Sequence, residues 1–173
     1  MGRYFAIEQG FGEDVSMAIS EHYLPIGLNS DVPKKPISCA VAIIDKIDML
    51  VGFFGINQKP TSSKDPFALR RTAIGLLRII IENKLSIQLK DLINYSIVVY
   101  EEQNKKFTNN STTKEVLIFL KERFKNILKD KKIRKDIIEA VDSSHSGHDF
   151  LILYNKCIII NKNISKDVCK NII

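Results

Sequence analysis

The stretch Lys59-Pro-Thr-Ser-Ser-Lys-Asp-Pro-Phe-Ala-Leu-Arg-Arg-Thr-Ala-Ile-Gly-Leu-Leu-Arg78 joins a polar loop to a well-marked helix start. Asp65 belongs to the residue types that cap the free amides of a first helical turn. Pro66 suits the first helical position because its missing N–H costs nothing there. The pattern therefore predicts a helix that begins at Pro66.

This helix also carries a periodic apolar pattern. Spacings of three and four residues predict a buried stripe made of Leu69, Ala73, Leu76, Leu77 and Ile80. Arg71 and Arg78 lie seven residues apart and share another face, with Gly75 between them. Because glycine inside a helix costs about 1 kcal/mol relative to alanine, we expect Gly75 to serve close packing or a backbone approach. No catalytic group is recognisable in the stretch, which indicates binding or a plain helix–helix contact.

The rest of the chain shows the same periodicity, and no strand alternation is convincing. The predicted fold class is all-α. The turn-like cluster Lys105–Thr112 marks the expected seam between two helical units, residues 1–104 and residues 105–173. The further predicted helices are Glu13–Leu24, Pro36–Phe54, Gln88–Gln103, Thr113–Lys129, Ile133–Val141, Phe150–Ile160 and one from Lys166, while the helix that starts at Pro66 is expected to end at Lys84.

Composition restricts the class of protein. With 173 residues, 45% of them hydrophobic, the chain can bury a core of about one domain. Its three cysteines, Cys39, Cys157 and Cys169, form no CxxC pair. Neither a disulfide framework nor a zinc site is indicated, and a reducing cytoplasm is the expected compartment.

Two features argue against membrane insertion or secretion. The opening residues lack the basic segment and apolar run of a signal peptide. The longest apolar stretch, Ile37 to Ile56, is interrupted at its centre by Asp45, Lys46 and Asp48. Charges at that depth of a bilayer are too costly for a lone span, so a buried helix is predicted.

The net charge of +6 is unevenly distributed. Residues 1–86 hold ten Lys and Arg against nine Asp and Glu, whereas residues 87–173 hold sixteen against eleven. The excess concentrates between Lys121 and Lys135, where eight bases accompany two acids. Such a patch attracts phosphates in a salt-dependent way, although the Ile-, Lys- and Asn-rich composition also fits a solvated basic face.

Four segments carry a resemblance to a known family. They are Lys59–Arg78 together with Met1-Gly-Arg-Tyr-Phe-Ala6, Ala18-Ile-Ser-Glu-His-Tyr-Leu-Pro25 and Ala42-Ile-Ile-Asp-Lys-Ile-Asp-Met-Leu-Val-Gly-Phe-Phe54. In this order and spacing the chain closely resembles the beta subunit of bacterial two-subunit glycyl-tRNA synthetase, and a weaker likeness continues through Asp149–Lys156. That subunit is several times longer, so the chain looks like a fragment: an expressed piece or a product of a broken reading frame.

The resemblance implies part of an HD-like multi-helix domain, followed by helices that lead toward an anticodon-binding end. It implies a component of a glycine–tRNA ligase in which beta subunits bind tRNA(Gly) and support the catalytic alpha subunits in a hetero-tetramer with a second beta subunit. ATP with Mg would be used by the alpha subunit, and the fragment itself is expected to hold no cofactor or metal and to catalyse nothing. The alternatives are a divergent HD-type metal-dependent phosphohydrolase and a purely structural helical spacer.

Asp45 and Asp48, at positions i and i+3 of an apolar helix, resemble the distant aspartate of an HD-type metal site. The other ligands of that site are missing from the chain, and two carboxylates alone provide too few ligands to hold a metal ion. We therefore expect the two carboxylates to pair with Lys46 or with a base of a neighbouring helix such as Arg70 or Arg71.

Three histidines invite comparison with ligands. The dipeptide His148-Asp149, with His145 before it, lies in a turn of the kind that caps helices and is interpreted as an exposed loop rather than a metal site. His22 and Tyr23 end a helix before Pro25, at a corner that either packs against the Asp45 helix or faces RNA.

The loop before Asp65 places Lys59 and Lys64 beside several hydroxyl groups, near a helix N-terminus that favours anions. Its likeness to a synthetase phosphate loop is accidental, because no partner motif and no P-loop are present. The residues predicted to contact tRNA phosphates are thus Lys59, Lys64, Arg71, Arg78, Arg123, Lys125, Lys129, Lys131, Lys132, Arg134 and Lys135.

Overall fold

The computed structural model describes residues 1–27, 29–144 and 148–164, and these ranges form eight α-helices and no β-strand. The predicted all-α class is confirmed. The helix predicted from Lys166 lies outside the described residues. In chain order the helices are α1 (Gly2–Glu8), α2 (Glu13–Glu21), α3 (Pro36–Gly55), α4 (Leu69–Glu82), α5 (Leu89–Glu102), α6 (Thr112–Asp130), α7 (Lys135–Ser144) and α8 (Phe150–Ile164).

The central element is α3, which packs against α2, α4, α5 and α6. Leu50 and Val51 of α3 are fully buried, as are Leu76 and Leu77 of α4 and Leu120 of α6. Burying such a side chain contributes about 1.5–3 kcal/mol relative to leaving it exposed. The long apolar segment is thus a core helix, and within the described ranges no helix is both long and apolar enough to cross a bilayer.

The predicted stripe of α4 is confirmed, but its predicted start is wrong. Leu69, Ala73, Leu76, Leu77 and Ile80 are all fully buried. The helix begins at Leu69 rather than at Pro66 because residues 65–68 form a turn, in which Ala68 N–H donates to the Asp65 carbonyl (3.1 Å). Ala68 then adopts a left-handed conformation with φ +54°, which a continuous helix cannot contain.

Asp65 nevertheless caps α4. One carboxylate oxygen accepts the Leu69 N–H (2.8 Å) and the other accepts the Arg70 N–H (3.0 Å), so two free amides of the first turn are satisfied. The capping side chain thus belongs to Asp65, on the far side of the turn, and not to Ala68, the residue directly before the helix.

The short α1 was not predicted from the sequence. It contains one buried residue, Ala6, and its N-terminus has no side-chain cap. A Cβ atom on Gly2 would lie 2.8 Å from Cγ2 of Ile19, which shows how closely α1 lies on α2. Packing on a neighbour, rather than a local start signal, therefore accounts for this helix.

Gly75 provides the close approach expected of it. A Cβ atom at this position would lie 3.2 Å from Cε of Lys46 and 3.3 Å from Cδ of Pro25. The absence of a side chain lets the buried stem of Lys46 and the corner at Pro25 lie directly on α4.

Buried residues from both sides of the expected seam at Asn104 join one hydrophobic cluster. Phe54 of α3, for example, packs edge-on against Phe119 of α6, with ring centroids 5.1 Å apart. The division into residues 1–104 and 105–173, and the HD-like architecture, stay predictions.

Candidate nucleic-acid interface

The loop before α4 places one predicted lysine in an ion pair and the other in solvent. Lys59 Nζ lies 2.5 Å from Oε2 of Glu115, a residue of α6. Hydrogen bonds from Lys59 and Asn109 hold the pKa of the Glu115 carboxyl below its usual value of 4.5. The Lys64 side chain is exposed and makes no ion pair within the described residues. Arg70 donates to the carbonyl of Thr61 and thereby ties the loop to α4.

The two arginines on the other face of α4 differ in their partners. Arg78 donates from Nε to Glu82 (2.7 Å), from Nη1 to the Gly27 carbonyl (3.0 Å) and from Nη2 to the Ser30 carbonyl (2.8 Å). Its side chain is 18% exposed. Arg71 is exposed and has no hydrogen-bond or ion-pair partner in the described part of the chain. Arg78 thus binds the loop after α2 to α4, while the guanidinium group of Arg71 is available to a ligand.

The basic run of α6 and α7 is partly neutralised by acids that the sequence pattern does not associate with it. Lys121 and Lys125 both pair with Asp142 of α7, at 3.2 and 2.7 Å. Burial raises the pKa of the Asp142 carboxyl, but the hydrogen bonds and charges of Lys125 and Lys121 outweigh it, so that the pKa lies below 3.8. Arg134 pairs with Asp136 at 2.6 Å and Lys135 with Glu139 at 3.6 Å.

Three lysines of the same run are exposed and form no ion pair within the described ranges. They occupy the last turn of α6 and the turn that follows: Lys129, Lys131 and Lys132. Cations at this end of a helix are favoured by the unpaired carbonyls of the last turn. The free positive charge of the run is therefore confined to the end of α6.

Arg123 lies between these lysines and α4. Its guanidinium stacks on the Phe119 ring with 3.7 Å from Cζ to the centroid, and Nη1 donates to Glu122 (2.6 Å) and to the Phe119 carbonyl (3.1 Å). Desolvation by burial lowers its pKa, against the raising effect of Glu122. The planar group is thus held in one orientation with its side chain 14% exposed.

The fold brings four of the predicted cations into one row. A groove of about 510 Å³ between α4 and α6 is lined by Arg78, Arg123 and Lys131, together with the acids Glu82 and Asp130. A neighbouring cavity of about 210 Å³ is lined by Arg78 and Arg71. Since Arg78 lines both, Lys131, Arg123, Arg78 and Arg71 line two adjoining depressions and form one row. We call it the basic row.

The pairing expected for Asp45 and Asp48 is wrong. Both residues are exposed, and neither forms an ion pair in the described residues. Lys46 is directed inward and its ammonium group donates to the backbone carbonyl of His22 at 3.0 Å. Residues 45 and 48 lie on the solvent side of α3, and neither is within ion-pair distance of Arg70 or Arg71, although Asp45 lines the same groove as Arg71. Among the described residues no three His, Cys, Asp or Glu side chains come together as a metal-ligand set.

Asp48 affects one neighbour, Tyr100 of α5. Burial, the charge of Asp48 and a hydrogen bond with it raise the pKa of the Tyr100 hydroxyl to about 12. The phenol therefore stays neutral and covers the solvent side of α3.

The corner at His22 and Tyr23 packs against α3 and also faces solvent. Nδ1 of His22 donates to the Ile19 carbonyl (2.9 Å), because a carbonyl oxygen can only accept. The two rings lie with their centroids 3.8 Å apart, and Tyr23 is 69% exposed. The hydrogen bond from Lys46 to the His22 carbonyl supports the first alternative, packing against α3, while contact with RNA stays a prediction.

The interpretation of His148-Asp149 as an exposed loop is wrong for Asp149, which is only 1% exposed. Its Oδ1 accepts the N–H groups of Leu151 (3.0 Å) and Ile152 (3.1 Å), and its Oδ2 accepts the Ser86 hydroxyl. Asp149 therefore caps α8 and links it to the start of α5, in keeping with a helix-capping turn. His145 lies outside the described residues.

Sequence reasoning missed the residues that decide which cations are free. Asp142 and Glu115 neutralise two of the predicted lysines, Lys59 and Lys125, and also Lys121. No spacing along the chain signals such pairs. Tyr23, by contrast, had a signal: an aromatic residue directly before the Leu24-Pro25 corner.

Comparisons with known proteins show which family this chain belongs to. A family model described as glycyl-tRNA synthetase beta subunit matches residues 1–143. The glycine–tRNA ligase beta subunit of Colwellia psychrerythraea is 46% identical over 141 residues, which are 82% of this chain and 20% of that protein. That of Shewanella denitrificans is 47% identical over 141 residues, again 82% and 20% of the two chains. That of Paracoccus denitrificans is 38% identical over 161 residues, 93% of this chain and 22% of the relative.

The relatives are beta subunits of glycine–tRNA ligases, a class of aminoacyl-tRNA synthetase. This chain belongs to the family of glycyl-tRNA synthetase beta subunits, as the resemblance in its sequence implied. It spans about a fifth of the length of the relatives it matches.

Proposed function

We propose that this chain acts as a tRNA-binding and scaffolding part of a glycine–tRNA ligase beta subunit. In this proposal it supports ATP-dependent attachment of glycine to tRNA(Gly) in the cytoplasm, together with an alpha subunit and a second beta subunit. Bond formation, with ATP and Mg, belongs to the alpha subunit, and the chain contributes positive charge and a rigid helical frame.

The observation that carries the proposal is the basic row from Lys131 to Arg71. Its members line two adjoining depressions that share Arg78, which supports contact with more than one phosphate of a nucleic-acid backbone. Next to the row, Lys129 and Lys132 at the end of α6 add positive charge that forms no ion pair within the described residues. Arg123 is already oriented by Phe119, so little side-chain entropy is lost when its remaining N–H groups meet a phosphate.

The acids beside the row shape the interaction. Glu82 and Asp130 line the same groove as Lys131. These acids repel a phosphate, so that it is held beside the cations of the row. This favours contacts that position the RNA backbone over nonspecific charge attraction.

The test is a titration of a tRNA(Gly) transcript with the chain at several salt concentrations, by fluorescence anisotropy. We expect affinity to fall steeply with salt, with each lost phosphate contact reducing the log–log slope by about 0.7–0.9. Arg71→Glu and Lys131→Glu should each weaken binding and flatten the slope. Arg78 is not a suitable first variant, because its hydrogen bonds to Gly27 and Ser30 hold a loop.

The matched control is Arg3→Glu, which reverses an exposed arginine on α1 away from the basic row. If Arg3→Glu weakens binding as much as Arg71→Glu, attraction by net charge explains the result and the row has no special role. Absence of any binding at low salt would contradict the proposal and favour the helical-spacer alternative.

A further inference from the structure

We propose that a groove at the Arg71 end of the basic row takes one unpaired nucleotide, with its base against Tyr23 and its phosphate on Arg71. The inference rests on the proposed function and adds a site that reads single-stranded RNA. The groove, here called the Tyr23 groove, lies between the corner after α2, the middle of α3 and the start of α4. Its volume of about 390 Å³ is within the range of about 300–1,000 Å³ of small-ligand sites.

The walls of the Tyr23 groove are aromatic and apolar. Tyr23, Phe67 and Met49 all line the groove. Phe67 is fixed by stacking on Phe53, with ring centroids 4.1 Å apart. A flat aromatic base is the ligand that such walls accept, because every base offers a π-face for stacking on an aromatic side chain.

Tyr23 is exposed but held in place, which distinguishes it from an ordinary surface aromatic. Its ring contacts His22, and the imidazole is fixed by its hydrogen bond to the Ile19 carbonyl. The backbone of His22 is in turn bound by the buried Lys46. The corner therefore presents an aromatic face whose ordering costs little on binding.

Charges in the groove set the orientation of the nucleotide. Asp45 lines the groove without an ion-pair partner among the described residues, so a phosphate inside would be repelled. Its carboxylate accepts hydrogen bonds, which suits the exocyclic amino group of adenine, guanine or cytosine, whereas uracil has no amino group and offers only its ring N3–H. Arg71 lines both this groove and the cavity next to it, where it meets the basic row. The base thus enters the groove and the phosphate stays at Arg71.

The experiment uses the chain with two probes: the tRNA(Gly) transcript, and a short single-stranded oligo(A) that carries 2-aminopurine, whose fluorescence falls when it stacks. We expect Tyr23→Ala to weaken binding of both probes by about 5- to 150-fold and to abolish the fluorescence change. Tyr23→Phe should retain both properties because it keeps the ring. We expect the wild type to bind oligo(A) more tightly than oligo(U), and Asp45→Asn should reduce this difference in affinity. The matched control is Tyr95→Ala, since Tyr95 of α5 is also 69% exposed and lies outside the groove.

The outcomes separate this inference from the proposed function. If tRNA binds with the expected salt dependence but Tyr23→Ala behaves like Tyr95→Ala, the groove proposal is overturned while the basic row stands. If Tyr23→Ala weakens binding of the glycyl-tRNA synthetase alpha subunit and leaves RNA binding unchanged, the groove takes a protein segment and the proposal is again overturned. If the chain binds no RNA at low salt, both proposals fail together.

Discussion

The ammonium group of Lys46 lies 3.0 Å from the backbone carbonyl oxygen of His22 and donates a hydrogen bond to it, with Lys46 only 5% exposed. A lysine in the middle of α3 thus binds the corner that ends α2. Desolvation by burial lowers the pKa of Lys46 below 10.5, although the charge of Asp45 partly opposes the shift. This hydrogen bond positions the corner that carries Tyr23, and it requires the charged ammonium group of Lys46 to be buried.

Replacement of Lys46 by methionine should remove a pH dependence of stability. Because the pKa is lower in the folded chain than the ordinary 10.5, the unfolded state binds more protons between the two values, and wild-type stability rises with pH there. We expect the wild type to gain stability relative to Lys46→Met as pH rises through the lowered native pKa toward 10.5. Urea unfolding across this range measures the difference. Parallel curves for the two proteins would show that Lys46 is not desolvated.

Gly55 at the end of α3 should tolerate no side chain while Phe107 is present. A Cβ atom there would lie 2.5 Å from Cδ1 of Phe107, closer than atoms can pack. We expect Gly55→Ala to cost about 1–3 kcal/mol of unfolding free energy, the range for overpacking. In a Phe107→Ala background the same change should be neutral or slightly stabilising, since alanine is the better helix former. A double-mutant cycle by urea unfolding measures this coupling, and additive effects would contradict the contact.

Loss of the Asp65 carboxylate should destabilise the start of α4. Two N–H groups, of Leu69 and Arg70, lose their acceptor in Asp65→Ala. We expect a loss of about 0.5–2 kcal/mol in the free energy of unfolding, as for other helix caps. The control is Asp31→Ala, which removes an exposed aspartate without a hydrogen-bonded partner among the described residues. Equal losses in the two variants, by thermal or urea unfolding, would exclude a capping role.

Removal of the Asp142 charge should strengthen RNA binding if the basic run of α6 and α7 contacts RNA. Asp142→Asn frees Lys121 and Lys125 from their ion pairs. We expect the log–log salt slope of tRNA binding to steepen by about 1–2, because up to two further phosphate contacts become available. Asp31→Asn changes the net charge equally and serves as control. The variant should also lose the stabilisation that the wild type has above pH 3.8 and sheds as pH falls through the lowered native pKa.

The sequence by itself determined the helical class, the buried stripe of α4, the capping residue Asp65 and the family. These features depend on periodicity and on residues within one turn of each other, so they are readable along the chain. The close approach at Gly75 was also predictable, because a glycine inside a strong helix needs a reason that only packing supplies.

Only the tertiary structure decided which charges are free. Lys121 and Lys125 reach an acid on α7, Lys59 reaches one on α6, and Lys46 turns inward to a carbonyl of another element, while Arg71 keeps no partner in the described residues. The start of α4 at Leu69 also depended on a turn conformation of Ala68 that composition does not reveal. The physical reason is that ion pairs and buried polar bonds join residues tens of positions apart, and their partners become neighbours only when the helices pack.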